Sequence, residues 1–246
     1  MVRSTLAFTV ALLIILGIGD SASVAAPREE VEWKLVQKTD RPFKIPQIFG
    51  CTDNILKKVN GAIDKATKDL NPCDDDSGRA DLDGTGFDVK LHVDYAQDTV
   101  FSIYATMSYF CGGPYPTNDA TFSKTFDLVS GDEVVFEDLF DDYWRDKEKI
   151  LRVIFAAQIE NEEMYTELRD DGSCANSGVF TITNFLGTSA YDFTFSPGGL
   201  WVQPRWPHVI EACAERVWIP FEKLQGYANP GSILARVIAH GQRIGK

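Results

Sequence analysis

The clearest pattern of apolar and polar positions lies in the middle of the chain. Apolar side chains alternate with polar ones from Phe87 to Tyr95, through Val89, Leu91 and Val93. Strict alternation over this length predicts a strand with one buried and one solvated face. The polar pair Gln97-Asp98 predicts a turn, and residues 99–111 predict the returning strand. Residues 121–128 and 133–136 predict two further strands.

Apolar residues at helical spacing precede and follow these strands. Thr52 is placed to cap a helix that runs to about Leu70, and a second helix is predicted from Trp144 to Leu168. Strand-like segments follow at 180–186, 191–195, 200–203 and 216–219, with a helical turn after Pro220. Runs of strands with helices inserted between them predict an α+β fold, in which antiparallel sheets carry two main helices.

The first 26 residues have the order of a secretory signal peptide. A positive start at Arg3 leads into an apolar run from Leu6 to Ile18, and small residues follow as far as Ala26. The run is shorter than the roughly 20 residues of a spanning helix, so we expect cleavage near Ala26 and a secreted or periplasmic protein; an uncleaved anchor is the alternative. Residues 27–246 then form a single domain, or two intertwined lobes at about 27–110 and 111–246.

The chain is acidic, with a formal net charge of -12. The signal segment carries none of this charge, because Arg3 and Asp20 cancel. Such a surface argues against nucleic acid or an anionic membrane as partner and favours a basic partner. Solubility alone would also account for it.

Five cysteines follow the signal segment: Cys51, Cys73, Cys111, Cys174 and Cys213. Export permits disulfides, and the odd count leaves one thiol unpaired or paired with another chain. Cys51 and Cys73 flank a predicted helix of about 18 residues, roughly 27 Å long, and should not pair. We expect a disulfide-stapled fold with pairs Cys73–Cys111 and Cys174–Cys213 and with Cys51 left over; Cys51–Cys111 is the competing pair.

Several short motifs occur in a recognisable order. A Gly112-Gly113-Pro114-Tyr115-Pro116 turn follows a strand, and the later motifs are Phe126-Asp127-Leu128, Ser130-Gly131, residues 136–140, 193–200 and 218–224. This order resembles a domain of unknown function in the extracytoplasmic parts of the anti-sigma factor RsiV and the peptidoglycan deacetylase PdaC. The resemblance covers most of the chain after the signal segment. Where that family often has a histidine in the central turn, this chain has Tyr115.

The resemblance implies a non-catalytic module of the cell envelope. The outer domain of RsiV recognises lysozyme, so a basic cell-wall hydrolase such as lysozyme is one expected partner. Cell-wall glycan is the other, because PdaC acts on peptidoglycan. A peptidoglycan or polysaccharide deacetylase, or an accessory to one, is the alternative function that the resemblance implies.

The sequence offers little support for catalysis. The catalytic domain of such a deacetylase needs an Asp-Asp pair and a His-x-x-x-His motif; Asp141-Asp142 is present, but the histidines His92, His208 and His240 lack that spacing. No G-x-S-x-G elbow occurs, and the loop at 81–86 fails the calcium-loop register. We therefore expect no catalytic residue, cofactor or metal, although an active site of an unrecognised kind stays open.

Aromatic and arginine side chains supply the candidate ligand face. Tyr115, Trp201, Arg205 and Trp206 are its members, three of them within a proline-flanked segment. Tryptophan and arginine are common anchors of interfaces, and an indole also packs on sugar rings. The competing interpretation places both tryptophans in the core, since large aromatic side chains are mostly buried.

Overall fold

The computed structural model describes residues 30–68, 70, 86–110, 118–160, 180–207 and 213–244. The described strands form three antiparallel sheets with the orders β1-β2, β3-β4-β5-β6 and β7-β8-β9. The strands are β1 Trp33–Gln37, β2 Lys44–Ile48, β3 Gly86–Gln97, β4 Val100–Phe110, β5 Asn118–Asp127, β6 Asp132–Glu133, β7 Tyr191–Ser196, β8 Gly199–Pro204 and β9 Val217–Pro220. The helices are α1 Asp53–Lys68, α2 Tyr143–Ile154, α3 Ala156–Glu160, α4 Ile182–Gly187, α5 Phe221–Leu224 and α6 Ile233–Ile244.

One hydrophobic core lies between α1, the β1–β2 hairpin and one face of the four-stranded central sheet. Alternate residues of a strand share a face, and β4 therefore turns Phe101, Ile103 and Ala105 towards α1, each 0% exposed. Val59 and Ile63 of α1 meet them from the helix side. The apolar stripe of α1 and the apolar face of the sheet therefore pack against each other, as the sequence predicts.

A β-bulge moves the end of β3 to the other face of this sheet. Val93 pairs with Ile103, but Tyr95 pairs with Ser102, so Asp94 is an extra residue. A bulge of this kind reverses the side on which the following residues lie. Tyr95 consequently leaves the face of Val93 and packs beside Phe195, with ring centroids 6.0 Å apart. The simple alternation read through Tyr95 is wrong at this last position.

A second, aromatic-rich core lies between the β7–β8–β9 sheet and the C-terminal helices. Phe193 and Phe195 of β7 enter it from the sheet, and Leu234 of α6 and Ile150 of α2 enter it from the helices. Tyr95 also belongs to this core, so the central sheet contributes to both cores. The predicted division at residues 110 and 111 stays a prediction.

The helices depart from the expected pair. Residues 182–187, predicted as strand, form α4, because the Thr181 hydroxyl caps the helix by accepting the Asn184 N–H at 3.2 Å. The predicted second helix ends at Ile154 in α2, with α3 following, and residues 161–168 lie outside the described part. Helix α6 was not predicted, whereas the turn after Pro220 is confirmed as α5. An α+β fold with antiparallel sheets is correct, but the expected two main helices are not.

The expectation that disulfides staple the fold is wrong for the described residues, in which no two cysteines are bonded to each other. Cys51 is a free, half-buried thiol. Cys213 is buried and disulfide-bonded. Cys73, Cys111 and Cys174 lie outside the described part, so each proposed pairing includes at least one cysteine that is not described. Within it, hydrophobic packing and side-chain hydrogen bonds hold the sheets together.

The N-terminal 29 residues, including the predicted signal segment, also lie outside the described part. No helix among the described residues is long and apolar enough to cross a membrane.

Candidate ligand-binding face

Strand β7 is an edge strand whose outer side is covered by hydroxyl groups of the central sheet. Ser102 Oγ accepts the backbone N–H of Phe195 at 3.2 Å, and Ser123 Oγ accepts that of Phe193 at 3.0 Å. Thr125 Oγ1 donates to the carbonyl oxygen of Phe193 at 3.2 Å. Buried backbone groups need such partners. This polar seam therefore fixes the three-stranded sheet against the central one.

A buried carboxylate extends the seam at one end. The side chain of Asp192 is only 5% exposed and lies on the polar side of β7. It accepts a hydrogen bond from the Ser123 hydroxyl at 2.9 Å. Arg205 donates to both of its oxygens, from Nε at 2.8 Å and from a terminal nitrogen at 2.6 Å. Bidentate pairs are among the stronger side-chain contacts, so Arg205 is held in place.

The bulge residue Asp94 extends the seam at the other end. Its carboxylate accepts the Thr194 hydroxyl at 2.6 Å and also binds the guanidinium of Arg216. Arg216 hydrogen-bonds Thr194 as well. Bulges commonly re-aim a side chain, and this one directs Asp94 towards Arg216. The bulge thereby sets the position of an arginine on the neighbouring sheet.

Arg216 lies against two aromatic rings. Its Cζ is 3.9 Å from the centroid of the Tyr104 ring and 5.1 Å from that of Trp201, within the range of cation–π contacts. Burial raises the pKa of the Tyr104 hydroxyl, while the positive charge of Arg216 opposes the increase. The hydroxyl therefore stays protonated at neutral pH, and it donates to Gln203 Oε1 at 3.4 Å.

Trp218 continues this row of side chains on the three-stranded sheet. It is the cross-strand partner of Trp201, and its indole N–H donates to Ser196 Oγ at 2.9 Å. A Cβ added at Gly199 would lie 2.7 Å from the Trp218 ring, so the ring rests against that glycine. Even so, Trp218 is 43% exposed. We call Tyr104, Trp201, Arg216 and Trp218 the aromatic face.

The residues predicted for a ligand face do not share one surface. Trp201 lies on the aromatic face and is half-buried. Arg205 is half-exposed but bound to Asp192. Trp206 is 7% exposed and packs in the second core, where its N–H donates to Thr188 Oγ1 at 3.0 Å. Tyr115 lies outside the described residues.

Sequence reasoning missed three members of the aromatic face. Arg216 directly precedes β9 and Trp218 is its second residue, two positions further on; both fall within the strand predicted at 216–219. Since alternate residues of a strand point to the same side, that spacing was a usable signal. Tyr104 offered no such signal. It lies 112 residues from Arg216 in the chain, and only the tertiary fold brings the two side chains together.

The described residues contain no group of three or more His, Cys, Asp or Glu side chains that could hold a metal ion. His92 is exposed on β3, and His240 of α6 hydrogen-bonds the carboxylate of Asp98. His208 lies outside the described part. Among the described residues, no candidate metal site therefore lies at the aromatic face.

Cys51 is expected to react slowly with alkylating reagents. It lines a cavity of about 260 Å³ beside Phe49 and Leu128, and burial raises the pKa of its thiol. Because the thiolate is the nucleophile, a raised pKa lowers the reactive fraction at a given pH. Mass-spectrometric peptide mapping should show carbamidomethylation of Cys51 at pH 8 to be several-fold slower than that of glutathione, and faster as the pH rises. A rate equal to that of glutathione would contradict the buried environment.

Two solved structures are similar to this chain. A member of the DUF3298 family from Bacteroides fragilis NCTC 9343 matches with a TM-score of 0.53 at 14% sequence identity, covering 85% of this chain and 98% of that one. A DUF3298 family protein from Pseudomonas aeruginosa PAO1 matches with a TM-score of 0.46 at 12% identity, covering 83% and 94%. No family model and no curated protein matches the sequence.

The Bacteroides structure shows a shared fold and nothing about a ligand, because the identity is low. RsiV- and PdaC-type domains are DUF3298 domains. The Bacteroides structure therefore has the fold that the sequence resemblance implied.

Proposed function

We propose that this chain is a non-catalytic binding module of the cell envelope and that its aromatic face binds cell-wall glycan. The observation that carries the proposal is the Trp218 indole. Its N–H is engaged by Ser196 and its ring is seated on Gly199, yet 43% of the residue is exposed. A ring that is fixed before binding loses little conformational entropy when a ligand packs on it.

The surroundings of Trp218 suit a sugar. The C–H face of a pyranose is apolar and packs on an aromatic ring, while its hydroxyls need polar partners nearby. Arg216 supplies donors within the same face, and its side chain retains 20% exposure despite its bond to Asp94. An aromatic surface with a few placed polar groups is the usual composition of a ligand site.

The proposal includes an extracytoplasmic location for the protein. The signal-peptide pattern at residues 1–26 and the DUF3298 fold both support an extracytoplasmic protein. No observation on the described residues favours the deacetylase alternative, so it is not proposed.

Replacing Trp218 with alanine is expected to weaken binding to purified peptidoglycan at least about tenfold, because loss of a hot-spot tryptophan costs about 2 kcal/mol or more and about 1.4 kcal/mol already corresponds to tenfold. The matched control is Trp144→Ala. Trp144 is 72% exposed on α2, outside the aromatic face, and its loss should leave glycan binding unchanged. Co-sedimentation with sacculi measures both affinities. Equal binding by wild type and Trp218→Ala would refute the glycan site.

A second candidate, binding of a basic protein such as lysozyme, has its own supporting observation. The exposed Trp144 follows the exposed acidic residues Asp141 and Asp142 along the chain, whose net charge is -12. An aromatic anchor with an acidic rim suits a basic partner. The same two variants separate the candidates: lysozyme binding at low salt should fall with Trp144→Ala and survive Trp218→Ala. Absence of wild-type binding at low salt would exclude lysozyme.

A further inference from the structure

The outer edge of β3 is paired along only part of its length. At its C-terminal end the Val31 N–H donates to the carbonyl of Ala96 at 3.0 Å, and Glu30 forms a bridge with Gln97. Beyond that point β1 turns away and pairs with β2. Within the described residues, no strand pairs with positions 88–92 on this side. The β1–β2 hairpin therefore lies beside β3 without pairing to residues 88–92, and an opening remains between them.

A groove of about 460 Å³ occupies this opening. Its hairpin wall is formed by Leu35, Pro42, Phe43 and Lys44, and its other wall is residues 88–92 of β3. Leu35 in this wall is 48% exposed. The groove thus combines an apolar wall with an unpaired strand edge.

The hairpin wall is fixed in place. Asn60 of α1 holds the backbone of Ile48 from both sides, accepting its N–H at 2.9 Å and donating to its carbonyl at 3.1 Å. Arg41, between the two hairpin strands, has a 4% exposed side chain that donates to Thr67 Oγ1 and to the Asp64 carbonyl at 3.1 Å. These contacts oppose closure of the hairpin onto β3, so the opening is built into the fold.

The charge around the groove differs from that of the whole chain. Lys44, Lys90 and His92 lie at the groove and are exposed, and the one acid among its lining residues, Asp88, is paired with Lys90 at 3.4 Å. Two lysines against one aspartate leave the lining with a net positive charge, in a chain of net charge -12. Charge complementarity favours an acidic occupant.

We infer that this groove binds an extended, acidic peptide segment of a partner protein, which adds to β3 as a further strand. Unpaired N–H and C=O groups of an edge strand are a template for such addition. Val89 and Leu91 point towards the first core, while Asp88, Lys90 and His92 point the other way. The added strand accordingly alternates apolar residues beside Leu91 with acidic residues beside Lys90 and His92.

The test uses a labelled eight-residue peptide of alternating Val and Glu and the whole chain. Fluorescence anisotropy should show saturable binding, and Lys90→Glu should weaken it by about tenfold, since attraction across the strands becomes repulsion. Lys57→Glu, an identical charge reversal on an exposed position of α1, should leave the affinity unchanged. Trp218→Ala should also bind the peptide normally, which keeps this site distinct from the aromatic face.

Hydrogen exchange locates the contact. Peptide binding should protect amides within residues 88–92. Absence of binding, binding without protection there, or equal loss in the two lysine variants would overturn the inference. Protection that grows with protein concentration in the absence of peptide would identify a second copy of the chain as the occupant and would overturn it as well.

Discussion

Replacing both seam serines, Ser102→Ala together with Ser123→Ala, is expected to lower the free energy of unfolding by about 2–6 kcal/mol, because a buried polar group left without a partner costs about 1–3 kcal/mol. The double variant removes the acceptors of the Phe193 and Phe195 N–H groups. Both residues are buried, and neither N–H can turn to another strand because β7 is an edge strand. Urea unfolding followed by circular dichroism measures the change.

The matched control is Ser108→Ala on the same strand and the same face as Ser102. Ser108 is half-buried and lies near the far end of β4. Its loss should change stability by no more than about 0.5 kcal/mol. A double variant that loses less than about 1 kcal/mol would mean that the hydroxyls do not hold the sheets together.

Local patterns in the sequence were sufficient for β3, β4 and α1, although β2 was not predicted. The alternation along β3 and the helical stripe of α1 each place a continuous row of side chains against one core, so periodicity alone identifies them. A turn between β3 and β4 is confirmed one residue later than predicted, at Asp98 and Thr99, which both have positive φ. The bulge at Asp94 was not readable, because an extra residue leaves no local mark in an alternating sequence.

The C-terminal half shows where tertiary packing overrides local preference. Thr181, Ile182 and Thr183 favour a strand by propensity, but α4 forms because Phe185 stacks on Phe155 with ring centroids 4.2 Å apart. Burial of that pair outweighs the small propensity difference, which spans only about 1 kcal/mol. Tertiary structure also decides the site. The sequence placed Trp201 and Trp206 in one motif, but Trp201 lies within β8 and Trp206 lies beyond its end, so the two rings are on different surfaces.

The motif at residues 136–140, which carried part of the resemblance, sits in the centre of the second core. Phe136 is 2% exposed. Its ring centroid lies 5.1 Å from those of Phe140 and Tyr191, 5.7 Å from that of Phe193 and 5.9 Å from that of Tyr143. It therefore joins the turn before α2 to strand β7. Such a residue contributes to the fold by packing.

Phe136→Ala is expected to lower the free energy of unfolding by about 3–5 kcal/mol, the cost of a large cavity in an aromatic core. The neighbouring Val135, 52% exposed, is the control, and Val135→Ala should stay within about 0.5 kcal/mol of wild type. Chemical denaturation of both variants gives the comparison. If Phe136→Ala cost less than about 1 kcal/mol, its four ring contacts would not be holding β7 to the α2 region. Peptidoglycan binding by the folded fraction should be unchanged, because none of these rings belongs to the aromatic face.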